Sequence, residues 1–214
     1  MFTVRTAHRG DAKELDRLAD IAMGGRPPLQ QKATPLSTIV ERHGGEIAAK
    51  PFGRARAVVC ELEPGASVCG LVFVVPPGRL ILEHAAQGVS AQRTLAAALA
   101  EIDLLAVDDG LRGRGIGSAL LEEAERWLEG QGCRVLIAKI ARGDYRAMRW
   151  YRQRGYLVAA QGEPLWVTFP HLDLRCDDGN DGYHLAVKGL GRVSLRRARM
   201  GAQTYLTVEN RNAH

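Results

Sequence analysis

Seven consecutive residues, Arg112-Gly113-Arg114-Gly115-Ile116-Gly117-Ser118, have the types and spacing to hold a bulky anion. Glycine lets a backbone approach such a ligand with no Cβ in the way. A glycine-rich turn that opens a helix aims several backbone N–H groups at one place, and the helix dipole adds partial positive charge there. Arg112 and Arg114 add full charges. The matching chemistry is capture of a diphosphate. Two familiar phosphate loops fit poorly. A Walker loop needs a Lys after its last glycine, and Gly117 is followed by Ser118 and Ala119. A dinucleotide fold wants Gly-x-Gly-x-x-Gly directly after its strand, with an acidic residue roughly 20 positions on at the end of the next strand. Here the third glycine position falls on Ser118, several residues separate strand from loop, and the next strand ends near Lys139.

For the loop to act, a strand must end before it and a helix must start after it. Leu104, Leu105, Ala106 and Val107 read as the end of a buried strand, and Asp108-Asp109-Gly110 as a turn. Ser118 to Glu129 carries Leu120, Leu121, Ala124 and Leu128 at helical spacing. On the strand from Ala100 to Val107, period two places Glu101, Asp103, Leu105 and Val107 on one face. Ile102, Leu104 and Ala106 fall on the other. Arg134 to Ile140 is nearly all apolar, as expected of a strand covered on both faces. Asp144 can cap a helix running to Arg154, in which Ala147, Trp150 and Tyr151 fall at i, i+3 and i+4. Gly155 ends that helix, and Tyr156-Leu157-Val158 starts a further strand.

The loop resembles the acyl-CoA-binding motif of the GNAT N-acetyltransferases, Arg/Gln-x-x-Gly-x-Gly/Ala, which Arg112, Gly115 and Gly117 fill. The later helix resembles the same family's second signature: Asn, Ala three on, an aromatic-Tyr pair, then Gly-aromatic. Ala147, Trp150-Tyr151 and Gly155-Tyr156 fit, with Asp144 where Asn is commoner. An anion there counts against a direct contact with cofactor phosphates. The resemblance spans roughly residues 2 to 172. It implies an α/β GNAT fold, with a central mixed, mostly antiparallel sheet flanked by helices and splayed between its fourth and fifth strands. It implies acetyl-CoA as acyl donor, its diphosphate held by the backbone of Arg112, Gly113, Arg114, Gly115, Ile116, Gly117 and Ser118. Pantetheine would lie along Leu105, Ala106 and Val107, with the N–H of Leu105 or a neighbour as oxyanion donor.

By the same resemblance Tyr151 is the tyrosine that protonates the CoA sulfur; a phenol is neutral and protonated near pH 7. The alternative is a packed aromatic. Glu101 matches a position where histone-type members carry a general base, and Asp103 on the same face could hold a cationic acceptor. The alternative is two strand carboxylates in solvent. No metal is implied. No cysteine sits in a nucleophile context, so the expected reaction is direct attack by a primary amine, on a small molecule or a protein, in a ternary complex. Two rivals stand beside it: an acyl-CoA-binding sensor or interaction module without turnover, and an acetyltransferase acting on charged tRNA or ribosomal protein.

The remaining sequence sets the frame. The first strand is expected over Phe2 to Ala7, then a helix capped by Asp11 with Leu15, Leu18, Ala19 and Ala22 on one face. Gly24-Gly25 ends it and Pro27-Pro28 prevents continuation. Gln30 to Glu41 reads as a second short helix, and Gly44 to Gly53 as an exposed turn-rich stretch. Ala55 to Leu62 and Val68 to Val75 flank Glu63-Pro64-Gly65-Ala66-Ser67, a hairpin signal. Residues 78 to 98 read as an insertion with a helix over Ser90 to Ala98. Trp166 to Leu172 reads as one strand. The acetyltransferase domain is expected over 1–174, and 175–214 as a basic extension with a short strand or hairpin, including a strand at Thr204 to Val208.

Hydrophobic residues make up 46% and charged residues 25% of 214 residues, an ordinary globular balance. The formal net charge is +5. That charge suits either CoA or nucleic acid, so it does not separate them. Arg192, Arg196, Arg197 and Arg199 are compatible with RNA contact, but a solvated tail or a contact between copies in a homodimer is favoured. No apolar run nears the ~18 residues needed to span a bilayer, and no signal-peptide layout opens the chain, so a cytoplasmic, non-membrane protein is expected. Cys60, Cys69, Cys133 and Cys176 are scattered and read as buried thiols.

Overall fold

The computed structural model describes residues 2–24, 34–48, 52–169, 172–176 and 182–210. The chain is mixed α/β, with a large, mostly antiparallel sheet and flanking helices. It divides into two compact units: Met1–Pro76 with Ile102–Trp127, and Pro77–Glu101 with Leu128–His214. The expected Pro27-Pro28 stop and most of the Asp177–Gly182 linker lie outside the described residues.

The first unit contains β1 (Thr3–Thr6), α1 (Ala12–Met23), α2 (Leu36–His43), β2 (Glu46–Ala48), β3 (Arg54–Glu61) and β4 (Val68–Val75). The C-terminal part of β5 (Leu99–Val107) and most of α5 (Ile116–Gly130) complete it. Its strand order is β1-β3-β4-β5, with β2 also on β3. The hairpin expected at Pro64-Gly65 is present: β3 and β4 are antiparallel, Val58 opposite Val72, with a register shift at Cys60/Glu61. Leu15 and Leu18 of α1 and Val40 of α2 are fully buried against Ala57, Val59, Leu71 and Ala106. Each such leucine contributes about 1.5–3 kcal/mol by leaving water. Helix α1 stops at Gly24, whose φ of 59° is left-handed.

Two expectations in this unit are corrected. Asp11 does not cap α1 through its side chain. Its carboxylate accepts from Arg5 Nη1 at 2.7 Å and Nη2 at 2.9 Å, and from the His8 N–H at 2.8 Å. Arg5 also reaches Glu61 Oε2 at 3.1 Å. The carboxylate is thus engaged by the Arg5 guanidinium and the His8 N–H instead of the first-turn N–H groups of α1. The stretch Gly44 to Gly53 is not all turn, because Glu46–Ala48 pairs with β3. Just before it, Gly45 passes close to the end of β1, where a Cβ would clash with the Ala7 backbone.

The second unit contains α3 (Gly78–Glu83), α4 (Val89–Ala98), the start of β5, β6 (Val135–Ala141), α6 (Tyr145–Arg152), β7 (Leu157–Val158), β8 (Leu165–Phe169), β9 (Leu172–Cys176), β10 (Tyr183–Gly189), β11 (Val193–Met200) and β12 (Gln203–Asn210). The insertion at 78–98 is thus two helices, not one. Strand β10 lies between β6 and β7 and is antiparallel to both, Ala186 facing Ala138 and Val158. Beside it a four-stranded sheet runs β11-β12-β8-β9. The single strand expected over Trp166–Leu172 is instead the antiparallel pair β8/β9. Pro170 falls between the two runs, and proline has no N–H to give a ladder. Residues 183–210 supply three full strands, more than the short strand or hairpin expected there.

In this unit Glu163, 4% exposed, accepts from Arg197 Nε at 2.6 Å and Nη2 at 2.9 Å and from the Ala160 N–H at 2.8 Å. Burial alone would raise its pKa, but these bonds outweigh it and hold the carboxyl below its usual range. Among the described residues no helix is long and apolar enough to cross a membrane.

Candidate active site

The loop of the first unit is held from three sides. Along β5, Ile102, Leu104 and Ala106 are buried, Leu105 and Val107 are half-buried and Asp103 is exposed, the alternation the period-two pattern predicts. The end of β5 is tied to β4 by the Asp108 N–H, which donates to Cys69 O at 2.9 Å. Arg17 of α1 forms an ion pair with Asp108 and donates to Val68 O at 3.0 Å and Glu14 at 3.0 Å. The hydrogen bond to Asp108 raises the Arg17 pKa further. Arg112 folds back on its own loop, Nε donating to Val107 O at 3.2 Å and Nη2 reaching Asp109 Oδ1 at 2.6 Å. Sequence reading missed both clasps. The signal available for the second was only an Asp three residues before an Arg.

The turn itself needs glycine. Gly113 and Gly115 have φ of 82° and 86°, in the region L side chains avoid, and a Cβ at either would meet nothing within 4 Å. Ample space beside a strained backbone is what an approaching ligand requires. The Ala119 N–H donates to Gly115 O at 3.0 Å, opening the ladder of α5. The N–H groups of Ile116, Gly117 and Ser118 therefore lie ahead of that ladder, at the positive end of the helix. Ile116 and Leu120 fix the helix on β4, since a Cβ at Gly70 would lie 3.0 Å from each of their side chains. The expected core stripe of α5 holds, with Leu120, Leu121, Ala124 and Leu128 all buried. Further along, Arg56 donates to Glu123 at 3.2 Å and to Thr6 Oγ1 at 2.6 Å and stands 5.5 Å over the Trp127 ring.

In the second unit, Asp144 caps α6 as expected, accepting from the Ala147 N–H at 2.8 Å. Tyr151 is 8% exposed, its ring edge-on to Trp150 at 4.9 Å and to Tyr156 at 5.0 Å. Gly155, with φ of 82°, turns the chain so that the Tyr156 N–H donates to Tyr151 O at 3.2 Å. Arg154 stacks 3.8 Å over Trp150. Tyr151 is therefore rigidly held by aromatic packing. Glu101 pairs with Lys139 of β6 at 3.5 Å, both side chains largely covered. Lys139 was legible only as a charge in an otherwise apolar strand. The four cysteines are buried and form no disulfide. Burial pushes the Cys60 and Cys133 thiols up to about 12, so neither is a ready thiolate.

The glycine-rich turn ahead of α5 and the packed tyrosine on the capped α6 stand where the sequence motifs place them. The family model described as "Acetyltransferase (GNAT) family" matches residues 53–156, just under half of the chain. Its fold is that of solved GNAT structures. A phosphinothricin acetyltransferase from Sinorhizobium meliloti in complex with AcCoA is 20% identical, with TM-score 0.55, 89% of this chain and 89% of that chain covered. The PaiA N-acetyltransferase from Thermoplasma acidophilum in complex with coenzyme A is 12% identical, TM-score 0.56, covering 88% and 99%. Ard1 from Thermoplasma volcanium is 16% identical, TM-score 0.54, covering 89% and 98%. No curated protein matches the chain.

Proposed function

We propose that this protein moves an acetyl group from acetyl-CoA to a primary amine, by direct attack in a ternary complex. The observation that carries the reading is the Arg112–Ser118 turn, where two left-handed glycines in open space lead into the N-terminus of α5. Support comes from the relatives whose structures hold acetyl-CoA or CoA. In this reading the backbone of Arg112 to Ser118 holds the diphosphate, Arg114 adds charge, and Arg112 braces the turn. Leu105, Ala106 and Val107 present backbone to pantetheine. The N–H of Leu105 stabilises the oxyanion, a role worth about 3 kcal/mol in other acyl-transfer enzymes.

The neutral amine attacks the thioester carbonyl carbon, a C–N bond forms, and the C–S bond breaks. The departing thiolate takes the Tyr151 hydroxyl proton, and the nitrogen gives up its own proton to Glu101 through water. Asp103, exposed on β5, attracts a cationic acceptor. With Cys60 and Cys133 held as thiols, an acyl-enzyme gains no support.

The test is thiol release from acetyl-CoA against amines, polyamines, aminoglycosides and peptide N-termini. Tyr151→Phe should lower kcat about a hundredfold, the scale of general acid catalysis, with acetyl-CoA affinity unchanged. Unchanged kcat removes Tyr151 from the mechanism. Tight acetyl-CoA binding with no thiol release on any acceptor would favour a sensor.

A further inference from the structure

A cavity of about 340 Å³ opens in the second unit, at the lower end of the range for small-ligand sites. Tyr151 does not line it; Tyr156, whose ring touches Tyr151, does. The wall is apolar where Met148, Tyr156 and Leu157 form it, and polar where Arg152, Arg197 and His184 do. Among the described residues no Asp or Glu lines it.

The charges around it do not cancel. Arg197 is matched by the buried Glu163 and is further held by Val158 O at 3.1 Å. Arg152 has no ion pair among the described residues, so one positive charge stands over the cavity uncompensated. The nearest unmet need is thus a single negative charge, against a hydrocarbon wall.

We propose that this cavity binds a small carboxylic acid with an apolar body. The carboxylate pairs with the Arg152 guanidinium, while the apolar body lies against Met148, Tyr156 and Leu157. A monoanion matches the single free charge, whereas a phosphate group carries about −1.5 to −2 near neutral pH. This site is separate from the residues given roles in acyl transfer and does not rest on that activity.

Calorimetric titration of the full chain with phenylacetate, phenylacetamide and inorganic phosphate tests it, each with and without saturating acetyl-CoA. The expected result is phenylacetate binding that saturates at one equivalent, unaffected by acetyl-CoA. Phenylacetamide and phosphate should bind at least tenfold more weakly. Arg152→Gln, at an exposed position, should weaken phenylacetate at least tenfold and leave acetyl-CoA affinity as it was. Equal binding of the amide, tighter binding of phosphate, displacement by acetyl-CoA, no effect of Arg152→Gln, or no phenylacetate binding would each overturn the assignment. The amide comparison uses the unaltered protein and holds however the variant folds.

Discussion

Replacing Gly115 by alanine probes the proposed diphosphate cradle at its backbone. Gly115 sits at φ 86°, and the added Cβ would meet no protein atom within 4 Å. Within the protein, the substitution therefore costs only the left-handed backbone, about 1–2 kcal/mol for an L residue. Stiffening of the unfolded chain returns about 0.4–1 kcal/mol. The net loss of folding stability is about 1 kcal/mol. Against a typical ~5–15 kcal/mol the variant stays folded, and a loss of that size leaves Kd for any ligand of the folded state untouched. A change in acetyl-CoA affinity then reports only what the methyl group meets when the ligand arrives. If backbone N–H groups cradle a diphosphate there, Kd should rise at least tenfold, equivalent to about 1.4 kcal/mol. Gly132 is the control, at φ 81° with equally open surroundings and outside the turn. Gly132→Ala should lose the same stability with no loss of affinity. Urea denaturation and calorimetry on all three proteins separate the two effects. An acetyl-CoA Kd for Gly115→Ala equal to that of the parent, at about 1 kcal/mol lower stability, would refute the cradle.

Leu18→Ala should cost about 2–5 kcal/mol by emptying a fully buried site between α1 and the sheet, read as a lower urea midpoint at constant slope. Glu163→Gln should cost about 2–3 kcal/mol: a buried ion pair loses one partner, but Arg197 keeps access to water. Asp11 and Glu163 both have pKa values below the ordinary range, because arginine and backbone hydrogen bonds outweigh the rise that burial alone would cause. Their stabilisation is therefore fully present above the unfolded carboxylate range and is lost as pH falls through their lower native values. Urea midpoints measured downward from neutral pH should fall more steeply for the parent than for Asp11→Asn; parallel curves would contradict the linkage. Glu101→Gln should lower kcat about a hundredfold, the scale of general base catalysis, while leaving acetyl-CoA affinity alone. A kcat equal to that of the parent would exclude Glu101 as the proton acceptor.

What the sequence made legible was local. The alternation along Leu99–Val107, the Asp144 cap and the glycines that need φ above zero are each set within a few residues, and all three appear where the spacing places them. What escaped was long-range partnership. Asp11 has the residue type and position of a helix cap, yet Arg5 and Glu61 decide its role, and Glu61 lies 50 residues along the chain. Strand β10 reads as part of a tail until its ladders with β6 and β7 are seen, because a two-residue strand such as Leu157–Val158 carries no mark of its neighbour.

The same logic revises the meaning of the positive charge. A buried carboxylate must be paired to be tolerated, so buried acids in a chain with surplus cations recruit arginines from distant segments. Arg5 serves the buried Asp11 and Glu61 and Arg197 the buried Glu163, while Arg56 and Arg17 pair with the half-buried Glu123 and Asp108. Arg197 belongs to the basic run that composition made compatible with RNA, yet its guanidinium is turned to a carboxylate buried in the same unit. Each of these arginines is cancelled by its own acid, so the net +5 resides on other cations. The arginines that remain informative about ligands are those with no acid of their own, and Arg152 beside its cavity is the plainest instance.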